Sequence, residues 1–259
     1  MAAYVPDGEG LDDRVPFLAR LEREDRVALL GLGRELSFDS RAPLLRQDEP
    51  SSYILLIING WTKVTTSAPN GYEALHALRG PGDIVGESAS LTGRPRSATV
   101  TALSPVRAVV VPHEKFRAFV TGSAEISLTL LALTADRTRA ADRRSLEFAA
   151  MTVRERFAVL LLDLAHTHGV RTDEGIELDI PLSKQELAGA VGASREMVQR
   201  LLKDLRARGI VLTGRRAMVI VRPDSLRRIA RAQESVQPPV GHEAPQTPQT
   251  PQNGPRTLR

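Results

Sequence analysis

Residues 181–202 read PLSKQELAGAVGASREMVQRLL, and this stretch decides the fold of the C-terminal part of the chain. Ser183 is followed three residues later by Glu186, and this spacing is the capping box that begins a helix. Gly192 predicts the end of that helix, and Ser194 is suited to cap a second one. The apolar residues at helical spacing in the second helix are Val198, Leu201, Leu202 and Leu205. The pattern predicts two short helices joined by a tight turn.

Two short strands are predicted after the helix pair, at residues 210–213 and 217–221. Gly214-Arg215-Arg216 joins them as a basic turn. Two helices followed by such a hairpin form a winged helix-turn-helix, whose second helix enters the major groove of DNA. The polar residues that the helical spacing turns outward on this helix are Arg195, Glu196, Gln199 and Lys203.

Positive charge is concentrated in the same segment. Residues 181–232 contain twelve Lys and Arg against four Asp and Glu, a net charge of +8, whereas the whole chain carries +4. An ordinary solvated helix face also carries charged residues. An excess of one sign over a helix-turn-helix is, however, what binding to DNA phosphates requires. We therefore predict that this domain binds double-stranded DNA.

The segment closely resembles the DNA-binding domain of the cyclic-AMP receptor protein / fumarate-nitrate regulator (CRP/FNR) family of bacterial transcription factors. The matching residues are those of 183–187 and 191–202. The resemblance implies a palindromic operator with TGTGA-like half-sites, whose bases are read by Arg195, Glu196 and Arg200. We assign phosphate contacts to Ser183, Lys184, Gln185, Arg215 and Arg216.

Composition excludes several classes of site. The chain of 259 residues is 42% hydrophobic and only 4% aromatic, so aliphatic side chains must fill its core. It has no Cys, which excludes disulfides, thiolate–zinc sites, cysteine-ligated iron–sulfur clusters and cysteine nucleophiles. No apolar run approaches the roughly 18–20 residues of a membrane span, and the N-terminus lacks the features of a secretory signal. We expect a cytoplasmic protein with no membrane partner.

The pattern from about residue 35 to residue 112 changes to short strands separated by turn residues. Asn59-Gly60 favours a type I′ turn and predicts a hairpin between residues 54–58 and 61–66. Many short strands at regular spacing predict a β-sandwich or jelly roll. The expected fold class is therefore α+β. The predicted domains are a flexible N-terminus (1–16), a cyclic-nucleotide-binding-like β-roll (17–123), a dimerisation helix (124–149), a winged helix-turn-helix domain (150–232) and a disordered Pro- and Gln-rich tail (233–259).

A second motif lies inside the predicted roll, at residues 82–88 and 94–100. It resembles the phosphate-binding cassette of cyclic-nucleotide-binding domains. Gly86 allows close backbone approach, Glu87 can accept a hydrogen bond from a ribose 2′-hydroxyl, and Arg96 offers a planar fork to the cyclic phosphate. The ligand residues assigned within the roll are Gly86, Glu87, Ser88, Arg96 and Ser97. The same turn also occurs as a scaffold without a ligand, so a cyclic nucleotide effector and an empty roll both stay open.

The long helix at 124–149 carries an apolar face that Arg137 and Arg144 interrupt. In the resembled family this helix pairs with its twin to form a homodimer. An ungapped reading places Ala141 and Asp142 where cyclic-AMP-binding members present a Thr-Ser pair to the adenine amino group. Ala141 offers no hydrogen bond, and Asp142 is an acceptor that can face an exocyclic amine or, unpaired, resist burial. We expect a cyclic nucleotide to bind with poor selectivity for adenine.

Two other readings of the roll are weaker. Residues 86–90 nearly match the nucleophile elbow Gly-x-Ser-x-Gly around Ser88, but the last Gly and the strand–elbow–helix context are missing. His76 could ligate haem, as in some relatives of the family, although an isolated His on a strand is usually structural. We therefore predict a regulator without enzymatic activity. Its predicted partners are DNA, a second copy and RNA polymerase, the last through a surface loop at 170–175.

Overall fold

A computed structural model gives the structure of residues 15–50, 52–214 and 218–231. Three sequence predictions fall outside these ranges: the loose segment before residue 15, the wing residues Arg215 and Arg216, and the Pro-rich tail after residue 232. Within the described ranges the chain forms a two-sheet roll, a long helix and a C-terminal domain of helices with one small sheet.

The roll consists of two four-stranded sheets with antiparallel pairing throughout. The first contains, in spatial order, β1 (Arg34–Phe38), β8 (Val106–Pro112), β3 (Tyr53–Asn59) and β6 (Ile84–Val85). The second contains β2 (Pro43–Leu45), β7 (Thr99–Ala102), β4 (Thr62–Ser67) and β5 (Glu73–Arg79). Apolar side chains from both sheets pack into one core, among them Leu55, Ile57, Val100 and Ala108. The predicted β-roll is confirmed.

The predicted hairpin at Asn59-Gly60 is wrong. β3 pairs with β6 and β8, whereas β4 pairs with β5 and β7, so the chain crosses from one sheet to the other at this turn. Gly60 is required there by space as well as by its φ of +86°. A Cβ on Gly60 would lie 2.2 Å from the carbonyl oxygen of Pro105. The β4–β5 connection at residues 68–72 is a true hairpin turn, in which the Ala68 N–H donates to the Tyr72 carbonyl at 2.8 Å.

Helices cover the open side of the first sheet. The order along the chain is a 3₁₀ turn (Phe17–Arg20), α1 (Arg23–Gly31), α2 (Glu87–Thr92), α3 (His113–Thr121) and the long α4 (Ala124–Ala150). The Ser123 hydroxyl caps α4 by accepting from the Ile126 N–H at 3.4 Å. Ile126, Leu130 and Leu133 are buried against the roll, as their spacing predicts.

The C-terminal domain has the predicted winged helix-turn-helix fold. It contains α5 (Val153–His168), β9 (Gly169–Thr172), β10 (Gly175–Leu178), α6 (Lys184–Val191), α7 (Arg195–Ala207), β11 (Val211–Thr213), β12 (Met218–Ile220) and α8 (Pro223–Ala230). The strands form one sheet in the order β11-β12-β10-β9.

Two elements of this domain differ from the sequence prediction. The prediction of a surface loop at 170–175 is wrong. Most of these residues lie in the β9–β10 hairpin, and β10 pairs with β12, so the hairpin extends the sheet of the wing. α8 is not predicted at all. Pro223 begins it, and Leu226 and Ile229 are buried in the cluster that contains the apolar residues of α5. Its short amphipathic pattern lies among arginines and resembles an exposed basic segment.

The C-terminal domain packs directly against the outer face of the second sheet. The buried cluster that the two parts share includes Leu75 and Leu78 of β5 together with Phe157, Leu161 and Leu187. Trp61, the residue before β4, packs edge to face against His168 of α5, with 4.3 Å between ring centroids. The outer face of this sheet and the C-terminal domain therefore share a buried apolar cluster.

We predict that His168 makes the fold less stable in acid. Burial lowers its pKa to about 4, although Asp179 opposes this, whereas the unfolded chain titrates near 6.5. The unfolded state therefore binds the proton first, and stability should fall as pH decreases from about 6.5 to 4. Burial raises the pKa of Asp163 to about 7, and this carboxyl contributes in the opposite direction over the same pH range. The contribution of His168 is therefore the difference between wild type and His168→Phe, which keeps a ring against Trp61. Chemical denaturation of both at pH 7 and pH 5 should show the wild type changing less favourably than the variant by on the order of 1–2 kcal/mol, and equal changes would contradict the assignment.

Candidate nucleotide pocket and nucleic-acid interface

A cavity opens between the roll and the long helix at the position of the second sequence motif. It encloses about 470 Å³, including its mouth open to solvent. Its wall is formed by the start of α2, the segment before β7, the β4–β5 hairpin and α4. Five of the six predicted ligand residues line it, namely Gly86, Glu87, Ser88, Arg96 and Ser97.

Arg96 is held at the wall of the cavity by backbone carbonyl groups. Its guanidinium donates to the carbonyl oxygens of Gly86 at 2.9 Å and Tyr53 at 2.5 Å, and it lies 5.0 Å from the centroid of the Tyr53 ring. Burial lowers the pKa of Arg96, and the nearby Tyr53 and Glu87 oppose that shift. Gly86 has φ of +85°, and a Cβ there would lie 2.4 Å from Nη1 of Arg96. The absence of a side chain at Gly86 therefore leaves room for the guanidinium of Arg96, the group that a bound phosphate would contact.

Glu87 connects the cavity to the long helix. Its Oε1 lies 2.7 Å from Nη1 of Arg137 on α4, and both side chains are largely shielded from water. Arg137 also donates through Nη2 to the carbonyl oxygen of Ile84 at 3.0 Å. The sequence identified Arg137 only as an interruption of an apolar face. Its role could have been inferred from sequence, because a cation on the apolar face of a helix needs an anionic partner and the nucleotide motif contains a carboxylate.

Asp142 does not line the cavity of its own chain. It is exposed, and at five positions beyond Arg137 it lies about 140° further around the helix.

Arg79 is the opposite case, since it lines the cavity and is 8% exposed but was not predicted. Its Nη1 donates to the carbonyl oxygen of Leu78 at 2.7 Å. No local pattern marks an arginine on the inner face of a hairpin as a pocket residue.

Structural contacts are found for His76 and for Ser90, two residues beyond the serine of the near-match to the nucleophile elbow. The serine that contacts a histidine is Ser90, whose Oγ lies 2.8 Å from Nδ1 of His113, and Ser90 is fully buried. Nε2 of His76 lies 2.6 Å from Oγ1 of Thr66, and burial together with Arg144 lowers the pKa of His76. Within 15–50, 52–214 and 218–231, no group of three or more His, Asp and Glu could hold a metal ion.

The helix-turn-helix begins with the capping box that the sequence predicts. The Ser183 hydroxyl accepts from the Glu186 N–H at 3.2 Å, and the Glu186 carboxylate accepts from the Ser183 N–H at 2.6 Å. Gly192 ends α6 with a φ of +62°. The Ser194 hydroxyl then caps α7 by accepting from the Met197 N–H at 3.2 Å. These bonds confirm both predicted caps and the turn between them.

α7 presents a polar face to solvent. The buried residues are Val198, Leu202 and Leu205, and the exposed polar ones include Arg195, Glu196, Gln199, Arg200 and Lys203. Hydrogen bonds from its own backbone N–H and from Ser194 lower the pKa of Glu196, so this side chain is an ionised acceptor at neutral pH. Ser183, Lys184 and Gln185 are exposed at the start of α6, where helix N–H groups favour an anion.

Arg156 ties the end of α4 to the helix-turn-helix. It donates to the carbonyl oxygen of Met151 at 2.6 Å, to that of Phe148 at 3.4 Å and to that of Val191, at the end of α6, at 3.0 Å. Its guanidinium also lies 4.6 Å from the centroid of the Phe148 ring. The joint between α4 and α5 is therefore braced against the turn that precedes α7.

α4 has an apolar face that no part of the described chain covers. Leu128, Leu131 and Leu146 are 63–68% exposed. No single helix of the described chain is long and apolar enough to cross a membrane. α3 and α4 pass such a test by length and composition only when taken together, and they are bent by 110° to one another.

Two family models match the chain, and each covers one of these parts. The model for the cyclic nucleotide-binding domain matches residues 35–123, which span the sheets of the roll and α3. The model for the Crp-like helix-turn-helix domain matches residues 155–229, which run from the first turn of α5 into the last turn of α8.

Curated relatives and a solved structure agree with these matches. The CRP-like cAMP-activated global transcriptional regulator of Mycobacterium tuberculosis is 32% identical over 185 residues, which cover 71% of this chain and 83% of that protein. The cAMP-activated global transcriptional regulator CRP of Escherichia coli is 28% identical over 71% of this chain and 87% of its own. The c-di-GMP responsive regulator CLP of Xanthomonas campestris shares the fold, with a TM-score of 0.70 at 21% identity over 77% of this chain and 99% of that one. This chain therefore belongs to the CRP-like family of DNA-binding transcription regulators.

Proposed function

We propose that this regulator binds a palindromic operator as a homodimer and that a cyclic nucleotide in the roll controls its affinity for DNA. The observation that carries the proposal is the ion pair between Glu87 and Arg137 at 2.7 Å. It joins Glu87, the residue proposed to contact the ribose, to the helix that leads to the DNA-binding domain. A nucleotide at Glu87 would therefore act on α4 as well as on the roll.

The exposed face of α7 supports the assignment of the base contacts. Arg195 and Arg200 each carry the planar fork that suits guanine O6 and N7, and ionised Glu196 can accept from the cytosine amino group. Lys184 holds a phosphate at the start of α6 together with Ser183 and Gln185. Arg215 and Arg216, outside the described residues, are assigned to phosphates as well. TGTGA-like half-sites then lie about one helical turn apart.

The uncovered face of α4 supports a dimer. Burying a leucine side chain is worth roughly 1.5–3 kcal/mol, so Leu128 and Leu131 make pairing with a second α4 favourable. A winged helix by itself reads only one half-site, and two copies give the operator its symmetry.

The cavity supports a cyclic nucleotide as ligand. The cyclic phosphate would lie against Arg96 and Ser97, and the ribose 2′-hydroxyl against Glu87. The relatives named as cAMP-activated support the same class of effector. Because Ala141 has no polar side chain and Asp142 is an acceptor, selectivity for adenine is poor. The ligand shifts the joint at 148–153 between two arrangements by binding one of them better.

A regulator that binds DNA without any ligand is the second candidate. The observation that favours it is that Arg96 already donates to the carbonyl oxygens of Gly86 and Tyr53. Under either candidate the chain acts in the cytoplasm without enzymatic activity. It contacts RNA polymerase through the exposed turn Asp173-Glu174 of the β9–β10 hairpin.

Arg195→Ala should cost about 1–3 kcal/mol of DNA affinity and relax discrimination at one base pair of each half-site. The reason is the loss of two hydrogen bonds to a single base. Selection from random DNA with both proteins should return the same palindrome with one degenerate position in the variant. A non-palindromic wild-type consensus would contradict the proposal.

Lys184→Gln should weaken binding to specific and random DNA by a similar factor, because a phosphate contact carries no sequence information. The dependence of log K on log salt should become shallower by roughly 0.9 per lost contact. Titrations at several salt concentrations measure this, with Arg195→Ala as the matched comparison. A loss confined to the specific site would make Lys184 a base-reading residue.

Arg96→Ala should abolish cyclic nucleotide binding, because the cyclic phosphate loses its charged partner. Calorimetry with the wild type should show weak or comparable affinities for cyclic AMP and cyclic GMP. Arg96→Lys keeps the charge without the planar fork and should bind weakly, while thermal melting controls for folding. Tight, adenine-selective binding would contradict the role of Asp142, and no binding of either nucleotide by the wild type would favour the ligand-independent candidate.

A further inference from the structure

The β4–β5 hairpin is covered on both faces. Successive side chains of a strand point to opposite sides. Val64 and Arg79 line the nucleotide cavity on the inner face. Lys63 and Leu78, which are register partners, lie on the outer face, where Leu78 packs into the core shared with the DNA-binding domain. A nucleotide and the DNA-binding domain are therefore separated by the thickness of one sheet.

Lys63 ties this outer face to the first helix of the helix-turn-helix. Its Nζ lies 2.9 Å from Glu186 of α6 and 3.0 Å from Glu73 of β5. The side chains of Lys63 and Glu186 are each 15% exposed, which is low for two charged groups on different domains. Glu186 is also the capping-box residue that accepts from the Ser183 N–H. The ammonium group of Lys63 therefore holds the N-terminal end of α6.

A second contact keeps α6 and β5 together. Gly189 lies inside α6, and a Cβ there would be 2.6 Å from the carbonyl oxygen of Glu73. Glycine weakens a helix interior by about 1 kcal/mol relative to alanine, and here it permits backbone-to-backbone approach. The β4–β5 hairpin and α6 are thus in contact at two places. Lys63 and Glu186 form an ion pair at the N-terminal end of α6, and Gly189 in the middle of α6 packs closely against the backbone of β5.

We propose that Lys63 is the residue through which a nucleotide in the roll positions the DNA-binding domain. The path runs from Val64 in the cavity to its neighbour Lys63 and from there to Glu186 and α6. This inference rests on the proposed control by a cyclic nucleotide. It adds a route across the sheet to the route along α4 and the joint at 148–153.

The charges of this contact persist over the neutral pH range. Burial alone would lower the pKa of Lys63, but the hydrogen bonds and charges of Glu186 and Glu73 outweigh it and raise the pKa. Burial alone would raise the pKa of Glu186, but the Ser183 N–H and Lys63 outweigh it and lower the pKa. The contact is therefore present between the ordinary pKa of a glutamate and that of a lysine, and is lost only beyond them.

Distances between the two domains test the docking without any ligand. The chain has no Cys, so Ala68→Cys in the β4–β5 turn and Asp173→Cys in the β9–β10 turn accept one spin label each. Labelled chains are diluted into unlabelled chains so that only distances within one chain are measured. Lys63→Met should broaden the distribution or add a longer distance. Lys115→Met, an exposed lysine on α3, should leave it unchanged, and an unchanged Lys63→Met distribution would overturn the proposal.

The ratio of DNA affinities with and without saturating cyclic AMP or cyclic GMP tests the coupling. Lys63→Met should reduce this ratio at least threefold while calorimetry shows less than a twofold change in nucleotide affinity. Glu186→Gln keeps a capping side chain but removes its charge, so it should have the same effect, and the double variant should add nothing. An unchanged ratio in both single variants would overturn the route.

A wild-type protein whose DNA affinity ignores both nucleotides would overturn the nucleotide control and this route together. The spin-label distances would then still decide whether Lys63 holds the DNA-binding domain on the roll. The failure of the proposed function and the failure of the Lys63 contact are therefore separate results.

Discussion

The ion pair between Arg137 and Glu87 joins α4 to the nucleotide motif, in addition to the apolar contacts that α4 makes with the roll. Both groups are largely withdrawn from water, so each is stable there only with the other present. Stranding one partner of a fully buried pair costs about 3–5 kcal/mol, and less where solvent still reaches it. The cavity exists because α4 lies over the nucleotide motif, and the C-terminal domain takes its place from the end of the same helix. This contact thus connects the pocket with the helix that leads to the DNA-binding domain.

Elements fixed by neighbouring residues were predictable from sequence, and elements fixed by distant ones were not. The capping box at Ser183, the turn at Gly192 and the cap at Ser194 rest on hydrogen bonds within a few residues. The sheet change at Gly60 depends on which strands lie beside β3 and β4, and a turn-forming dipeptide does not contain that information. α8 is a helix because Leu226 and Ile229 find the apolar cluster around α5, which lies some sixty residues earlier in the chain.

The candidate site divides in the same way. Gly86, Glu87 and Arg96 belong to a compact motif whose residue types indicate phosphate and ribose contacts. Arg137 and Arg79 reach the cavity only through folding, because α4 and β5 bring them there. Asp142 shows the converse limit. Its position along α4 follows from the sequence, yet helix geometry turns its side chain away from the cavity of its own chain.

The alternation of side chains along β4 also constrains how this sensor can change over evolution or by design. Substitutions at Val64 alter the cavity without touching the residues that dock the DNA-binding domain, and those at Lys63 do the reverse. Under the proposed nucleotide control, residues that face the cavity can therefore change ligand selectivity while the residues between them keep the contact with the DNA-binding domain. A single-residue insertion or deletion in the strand would instead exchange its two faces, placing an ammonium group in the cavity and an apolar side chain against Glu186. We expect such length changes to be absent from β4 in functional variants and to be tolerated at the 68–72 turn.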